Sequence, residues 1–219
     1  LPRAACIVSV FPNMTTAGPF APLTGQRVRE QEFPMTDAVL VSQAYAFAAA
    51  RHTDQRRKGD REEPYINHLV EVAALVAAAT GGKDPSLTAA AVLHDTLEDT
   101  ETTFAELEAA FNRDVADLVA EVTDDKNLPK QTRKEMQVVN TPKKSARAKL
   151  IKIADKTSNL RSLANSPPGN WPEDRKADYL VWARRVVDGA RGVNDWLEEV
   201  FDEAARELEA VLNGPAGRE

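Results

Sequence analysis

Leu87-Thr88-Ala89-Ala90-Ala91-Val92-Leu93-His94-Asp95-Thr96-Leu97-Glu98-Asp99 runs apolar on nearly every side as far as Leu93 and then turns acidic. Asp84-Pro85 just ahead supplies an N-cap followed by proline at the first helical position, so the pattern predicts one helix from Asp84 to about Asp99. A helix that is apolar all round belongs at the centre of a fold. At about 100° per residue, His94, Asp95 and Glu98 fall on the same face as Leu87 and Ala91. Burying an imidazole and two carboxylates is heavily penalised unless something neutralises them. A divalent metal is the simplest compensation. The alternative, an acidic helix end left in solvent, accounts for Asp99 and Glu101 but poorly for His94-Asp95.

Helical periodicity continues on both sides of this stretch. Thr36 or Asp37 can cap a first helix running to about His52. Tyr65, His68, Leu69, Val72, Leu75 and Val76 recur at three-and-four spacing in a helix that Gly81-Gly82 halts. Thr103 with Glu106 forms a capping box for a short helix ending near Asn112, and Val115, Leu118, Val119 and Val122 mark another. Further helices are expected over about 129–139, 145–163, 172–191 and 195–212, with 165–170 as a loop because two prolines and a glycine interrupt it. No segment of strand period competes. The predicted class is therefore all-α, a single-domain helical bundle.

The chain has 219 residues, one domain's worth, with a net charge of −6. That balance argues against non-specific nucleic-acid binding and against docking to an anionic membrane. No apolar run approaches the roughly 18–20 residues of a membrane span. With a single cysteine, Cys6, no intramolecular disulfide can form, and a reducing, cytoplasmic setting is expected. Residues 1–34 hold five of the 13 prolines and no periodicity, so they are expected to be a disordered extension, with the domain over 35–213 and a tail over 214–219. The run Ala4 to Phe11 faintly resembles the core of a secretory signal, but Pro12 cuts it off.

The chain contains three histidines, His52, His68 and His94. His68 sits in the apolar stripe of its helix; read alone, it is a satisfied core residue sooner than a ligand. Asp155 lies at the edge of the apolar face of Leu150-Ile151-Lys152-Ile153-Ala154-Asp155-Lys156, where a lone carboxylate is usually half of an ion pair. Together with His94-Asp95 they make two imidazoles and two carboxylates on three helices. Such a set suits Mn²⁺, Fe²⁺ or Zn²⁺ better than Mg²⁺, and its mixed nitrogen and oxygen character favours Mn²⁺.

The order His68, His94-Asp95, Asp155 recurs with further stretches: Arg56-Arg57-Lys58, Pro64-Tyr65-Ile66-Asn67-His68, His94-Asp95-Thr96-Leu97-Glu98-Asp99-Thr100, Glu121-Val122-Thr123-Asp124-Asp125-Lys126, Leu128-Pro129-Lys130, Ala154-Asp155-Lys156 and Asn159-Leu160-Arg161. This set resembles the HD superfamily of metal-dependent phosphohydrolases. More narrowly it is similar to the free-standing hydrolase domains of RelA/SpoT type, the small alarmone hydrolases that include the metazoan SpoT homologues. The resemblance covers about 36–212.

What the resemblance implies is one divalent ion held by His68, His94, Asp95 and Asp155. Glu98 and Asp99 would orient and deprotonate the attacking water, with Glu98 as the base, and Asn159 would position that water or the ribose. Arg57, Lys58, Lys130 and Arg175 match the family's ligand contacts, and Tyr179 would pack on the nucleotide. From residues alone, the basic loop is a solvated segment, and Arg175 and Asn159 are helix-surface residues. The implied substrate is a guanine nucleotide, ppGpp or pppGpp, cleaved at its 3′-pyrophosphate to give GDP or GTP and pyrophosphate. Two other readings stand beside it: a related phosphohydrolase acting on another nucleotide such as the 2′-phosphate of NADPH, and a catalytically silent nucleotide-binding module. The completeness of the residue set disfavours the last.

His52 is expected to be structural or supporting. Leu69 stands where the family often has proline, a harmless change, whereas Thr157-Ser158 replaces larger residues and is expected to reshape the pocket floor. No synthetase region follows in this sequence, so degradation of the alarmone, not synthesis, is expected. Neither a nucleic-acid nor a membrane partner is expected, and the sequence does not reveal an oligomeric state.

Overall fold

Side-chain caps set most helix boundaries in the computed structural model, which describes residues 36–214. Helix α1 (Asp37–Arg51) starts where Thr36 accepts from the Val39 amide. Helix α2 (Ile66–Thr80) ends at Gly81, whose φ of 60° is left-handed and favours a residue without Cβ. Helix α3 (Pro85–Leu93) is capped by Asp84, whose carboxylate takes the Leu87 amide at 2.9 Å. A single turn, α4 (Thr96–Asp99), follows, then α5 (Phe104–Ala110) behind the Thr103–Glu106 capping box. Asn112 caps α6 (Arg113–Val122), while α7 (Lys130–Asn140) follows Pro129 and leads into a 3-10 turn at Thr141–Lys143. Ser145 caps α8 (Ala146–Asn165), the longest helix, and α9 (Glu173–Asp188) and the Asn194-capped α10 (Asp195–Asn213) complete the fold.

The described residues contain no strand, only an isolated antiparallel bridge between Arg56 and Pro64, so the all-α, single-domain expectation holds. The expected disorder of 1–34 and most of the expected tail lie outside the described residues.

Two helices form the centre. Every residue of α3 from Leu87 to Leu93 is buried, and α3 packs against α1, α2 and α6. Helix α8 buries twelve of its residues among α2, α6, α9 and α10. Side chains such as Leu69, Leu87, Leu93, Ile151, Leu197 and Phe201 are almost completely enclosed. Each contributes about 1.5–3 kcal/mol of burial. The apolar packing leaves the polar end of α3 facing α2 and α8, and the candidate ligands come together there.

The helix expected to run unbroken from Asp84 to Asp99 is in fact two, stopping at Leu93 and restarting at Thr96. The side chains at the break compete with the backbone. His94 Nδ1 donates to Ala91 O at 2.9 Å and Thr96 Oγ1 to Leu93 O at 2.5 Å, which are carbonyls an unbroken helix offers to later amides. The common face expected for His94, Asp95 and Glu98 is divided accordingly. His94 and Asp95 meet His68, while Glu98 lines a neighbouring cavity.

Candidate metal centre

His68 comes from α2, His94 and Asp95 from the break after α3, and Asp155 from α8. His68 Nε2 lies 3.4 Å from Asp155 Oδ1 and 3.7 Å from Asp95 Oδ2. His94 Nε2 lies 3.1 Å from Asp95 Oδ2 and 4.0 Å from Asp155 Oδ1. Donor atoms of His68, His94 and Asp155 fall within 4.8 Å of one another, and Asp95 Oδ2 borders the same point.

The donor chemistry fits a divalent cation. His94 gives its Nδ1 proton to Ala91, which leaves the lone pair on Nε2. That Nε2 atom is buried and has no hydrogen-bond partner. Burial opposes ionisation of both carboxylates, but close cations overcome it. His94 and His68 hold Asp95 well below the carboxylate range, and Lys156 and the imidazoles do the same for Asp155. Burial pulls His68 below its ordinary value, whereas the carboxylates Asp95 and Asp155 outweigh burial at His94 and raise it. A cation held here would supply the positive charge that the two carboxylates draw toward His94.

Around the candidate ligands stands a shell of tethers. Asn159 Nδ2 donates to Asp155 Oδ1 at 2.6 Å, and Lys156 Nζ donates to Asp155 Oδ2 at 2.8 Å from above the Trp182 ring. Tyr65 OH donates to Asp95 Oδ2 at 2.6 Å, a contact across thirty residues that helical periodicity cannot show. Burial and the Asp95 charge push the Tyr65 phenol up, so it stays a donor. His52 stacks on Tyr65 with ring centroids 5.3 Å apart and meets Gln55 Oε1 through Nδ1 at 2.5 Å, the supporting place expected of it. Leu69 is a core residue, as expected.

Beside the centre lies a cavity of about 490 Å³. Glu98, Asp99, Asn159, Arg57, Lys58, Lys130, Arg175 and Tyr179 all line it, so the structure brings together every residue named for catalysis or substrate contact. Arg133, Lys134, Trp171 and Trp182 line it as well and were not foreseen; the charged pattern of α7 was the available signal for the first two. The expectation that Thr157-Ser158 shapes the pocket floor is overturned. Neither residue borders the cavity: Thr157 Oγ1 bonds Ile153 O at 2.8 Å and Ser158 lies behind His68.

Seven cationic side chains line the cavity (Arg56, Arg57, Lys58, Lys130, Arg133, Lys134 and Arg175) against three carboxylates, Glu98, Asp99 and Asp124. In a chain of net charge −6 this is a concentrated positive site. Partial burial, then the neighbouring charges of Arg175, Lys58 and Arg133, lower the Lys130 ammonium below its ordinary value, a strain that an anion relieves. Arg175 stacks 4.0 Å over Trp171, and burial pushes the Tyr179 phenol up to about 12.

Glu98 and Asp99 have different surroundings. Arg133 Nη1 donates to Glu98 Oε1 at 3.0 Å, while burial and the carboxylates of Asp124, Asp95 and Asp99 raise the Glu98 carboxyl. Asp99 is tied to Lys126 at 2.7 Å and to Gln55 at 3.2 Å.

Two loops carrying cavity residues are stapled together. The Asp60 amide donates to Pro167 O at 3.3 Å, Asp60 Oδ1 accepts from the Gly169 amide at 2.6 Å, and the Arg61 amide donates to Ser166 Oγ at 3.2 Å. A Cβ on Gly59 would collide with the Ser166 carbonyl oxygen. Gly59→Ala is therefore expected to force the loops apart, destabilising the fold by about 1–3 kcal/mol. Thermal melts and nucleotide titration check this: a lower Tm with weaker nucleotide binding is expected, and unchanged binding would show that the staple does not set the cavity.

The HD domain family matches residues 44–184. The guanosine-3′,5′-bis(diphosphate) 3′-pyrophosphohydrolase MESH1 of Xenopus tropicalis is 48% identical over 167 residues, 76% of this chain and 93% of the relative. The Homo sapiens protein of the same name is 47% identical over 166 residues, again 76% of this chain and 93% of the relative. Among solved structures, that of a metazoan orthologue of SpoT, described as hydrolysing ppGpp and acting in starvation responses, superposes with a TM-score of 0.74. It is 43% identical, and the match covers 80% of this chain and 97% of that one.

Proposed function

The chain belongs to the HD-domain family, among relatives of the MESH1 pyrophosphohydrolases, and from that premise we infer that it hydrolyses the 3′-pyrophosphate of ppGpp and pppGpp. The observation that carries the reading is the ring of seven cations around a cavity that adjoins paired imidazoles and carboxylates. A guanine nucleotide with pyrophosphate on both its 5′ and 3′ oxygens carries the charge that such a ring neutralises. The catalytic unit is residues 35–213, and its setting is the cytoplasm, in keeping with a single cysteine. No helix among the described residues is long and apolar enough to cross a membrane. Neither a membrane nor a nucleic acid enters this reading as a partner.

His68, His94, Asp95 and Asp155 would hold one Mn²⁺, a choice that rests on the mixed donor set. Such an ion supplies charge neutralisation at the phosphoryl group and makes nearby water more acidic. The remaining work falls to this chain's own residues. Arg57, Lys58, Lys130 and Arg175 bind the phosphates, and Tyr179 packs on the nucleoside. Asn159, held by Asp155, positions the water or the ribose. Glu98 accepts the water's proton as the oxygen adds to phosphorus, and the bond from phosphorus to the ribose 3′ oxygen breaks, leaving that oxygen to be protonated. Arg133 keeps the Glu98 carboxylate aimed while its neighbours keep it basic.

The test offers purified protein ppGpp and NADPH with Mn²⁺, with and without chelator, and measures pyrophosphate and phosphate separately. Metal-dependent pyrophosphate release from ppGpp is expected, lost on chelation and restored by Mn²⁺. Phosphate release from NADPH with no cleavage of ppGpp would overturn the substrate, and cleavage that survives chelation would overturn the metal centre.

A further inference from the structure

His68 is held from behind by a chain of polar side chains that neither the ligand set nor the cavity uses. His68 Nδ1 lies 2.8 Å from Ser158 Oγ, Ser158 Oγ lies 2.6 Å from Glu71 Oε2, and Arg161 Nη1 donates to Glu71 Oε1 at 3.0 Å. His68 and Ser158 are buried, while Glu71 and Arg161 are half-buried at a second, smaller cavity of about 230 Å³.

The direction of each hydrogen bond follows from counting protons. A serine hydroxyl has one proton to give, and a carboxylate can only accept. The Ser158 proton therefore goes to Glu71, whose other oxygen is already engaged by Arg161. Ser158 Oγ must then accept at its remaining lone pair, and the donor is the Nδ1–H of His68. This leaves the His68 lone pair on Nε2, the atom that faces Asp155 and Asp95.

Ser158 also departs from what a buried helical hydroxyl ordinarily does. Such groups tend to bond a backbone carbonyl one turn back. Thr157 Oγ1 does so with Ile153 O, and Thr141 Oγ1 with Gln137 O. Ser158 Oγ bonds two side chains instead, both from α2. Three and four residues after Asp155, Ser158 and Asn159 share its face of α8. One helix face thus carries a ligand, the tether of that ligand and the support of a second ligand.

We propose that Glu71 and Ser158 are positioning residues of the metal centre, a carboxylate–serine–histidine relay that fixes His68 as the tautomer able to ligate a divalent cation. The relay rests on the metal-centre reading given above. His94 is oriented independently through a backbone carbonyl, so of the two imidazoles only His68 has a support that changing a side chain removes. Removing a support of this kind typically weakens metal affinity by about 10- to 100-fold.

Nitrogen-15 NMR of histidine-labelled, metal-free protein reads the tautomer directly, and three histidines keep the spectrum assignable. In the wild type, His68 is expected as the Nδ1–H form. Glu71→Ala frees the Ser158 proton to turn toward His68 and is expected to shift the ring toward the Nε2–H form; Ser158→Ala leaves the tautomer mixed, and Ser158→Thr restores it. Mn²⁺ affinity, measured by competition with a chelating dye, is expected to fall about 10- to 100-fold in both alanine variants. The double variant should be little worse than either single one, as expected for two links of one chain. A wild-type His68 in the Nε2–H form overturns the relay, and so does a Ser158→Ala protein with unchanged tautomer and Mn²⁺ affinity. These readouts use protein and metal alone, so a failure to cleave ppGpp would overturn the proposed function and leave them standing.

Discussion

Replacing Asp95 by alanine is expected to abolish Mn²⁺ binding and to slow ppGpp hydrolysis by about three orders of magnitude or more. The magnitude follows from what a divalent ion contributes to phosphoryl chemistry, several kcal/mol, at about 1.4 kcal/mol per factor of ten in rate. Asp95 Oδ2 lies 3.1 Å from His94 Nε2 and 3.7 Å from His68 Nε2, so its loss takes a negative charge from the middle of the donor set. The same oxygen accepts the Tyr65 hydroxyl, and leaving that group without an acceptor costs a further ~1–3 kcal/mol of stability. Asp95→Asn separates the two roles: it keeps an oxygen for Tyr65 but removes the charge. Its melting temperature should therefore stay closer to the wild type while its metal affinity and rate fall with those of the alanine variant. Near wild-type turnover in either protein, with Mn²⁺ present, would remove Asp95 from the metal centre.

Much of this arrangement is legible in the sequence, and the boundary between the legible and the hidden is physical. Thr36, Asp84, Thr103 and Ser145 announce helix starts because capping is local, a side chain reaching an amide three residues on. The burial of α3 followed from a run with no polar side to show to water. The break at His94-Asp95 was not legible, because it depends on His94 and Thr96 turning their side chains onto their own backbone in a buried setting. Contacts between distant residues were hidden for a different reason. Tyr65 with Asp95, Ser158 with Glu71, and Arg133 with Glu98 are set by how α2, α4, α7 and α8 pack, and no spacing within one helix encodes them. His68 and Asp155 stand between these cases. Each is an ordinary core or ion-pair residue by itself, and only their order along the chain, matched to a family, joined them to His94-Asp95. The cavity's charge is similar: Arg57, Lys58, Lys130 and Arg175 lie on three separate segments of an acidic chain, and only folding gathers them into one site.

Glu98→Gln is expected to lower kcat by about a hundred- to ten-thousandfold, the range for losing a general base, with little change in KM. Glutamine keeps the size and an oxygen that can still accept from Arg133, so the cavity wall and the phosphate contacts persist while the proton acceptor is lost. Asp99 is a poor substitute, since the Lys126 ammonium at 2.7 Å and Gln55 at 3.2 Å hold its two oxygens, whereas Glu98 Oε2 meets only the Asp124 amide, at a long 3.4 Å. Asp99→Asn should accordingly cost less than Glu98→Gln, and the reverse order would transfer the base to Asp99. The pH profile gives a second, independent readout. Burial and the nearby carboxylates Asp124, Asp95 and Asp99 raise the Glu98 carboxyl above its ordinary value. A base must be unprotonated to act, so wild-type kcat should rise with pH through that raised value and then level off. Glu98→Gln should remove this acid limb along with most of the rate. A Glu98→Gln enzyme that is slow but keeps the acid limb would mean that Glu98 orients the water and that another group removes its proton.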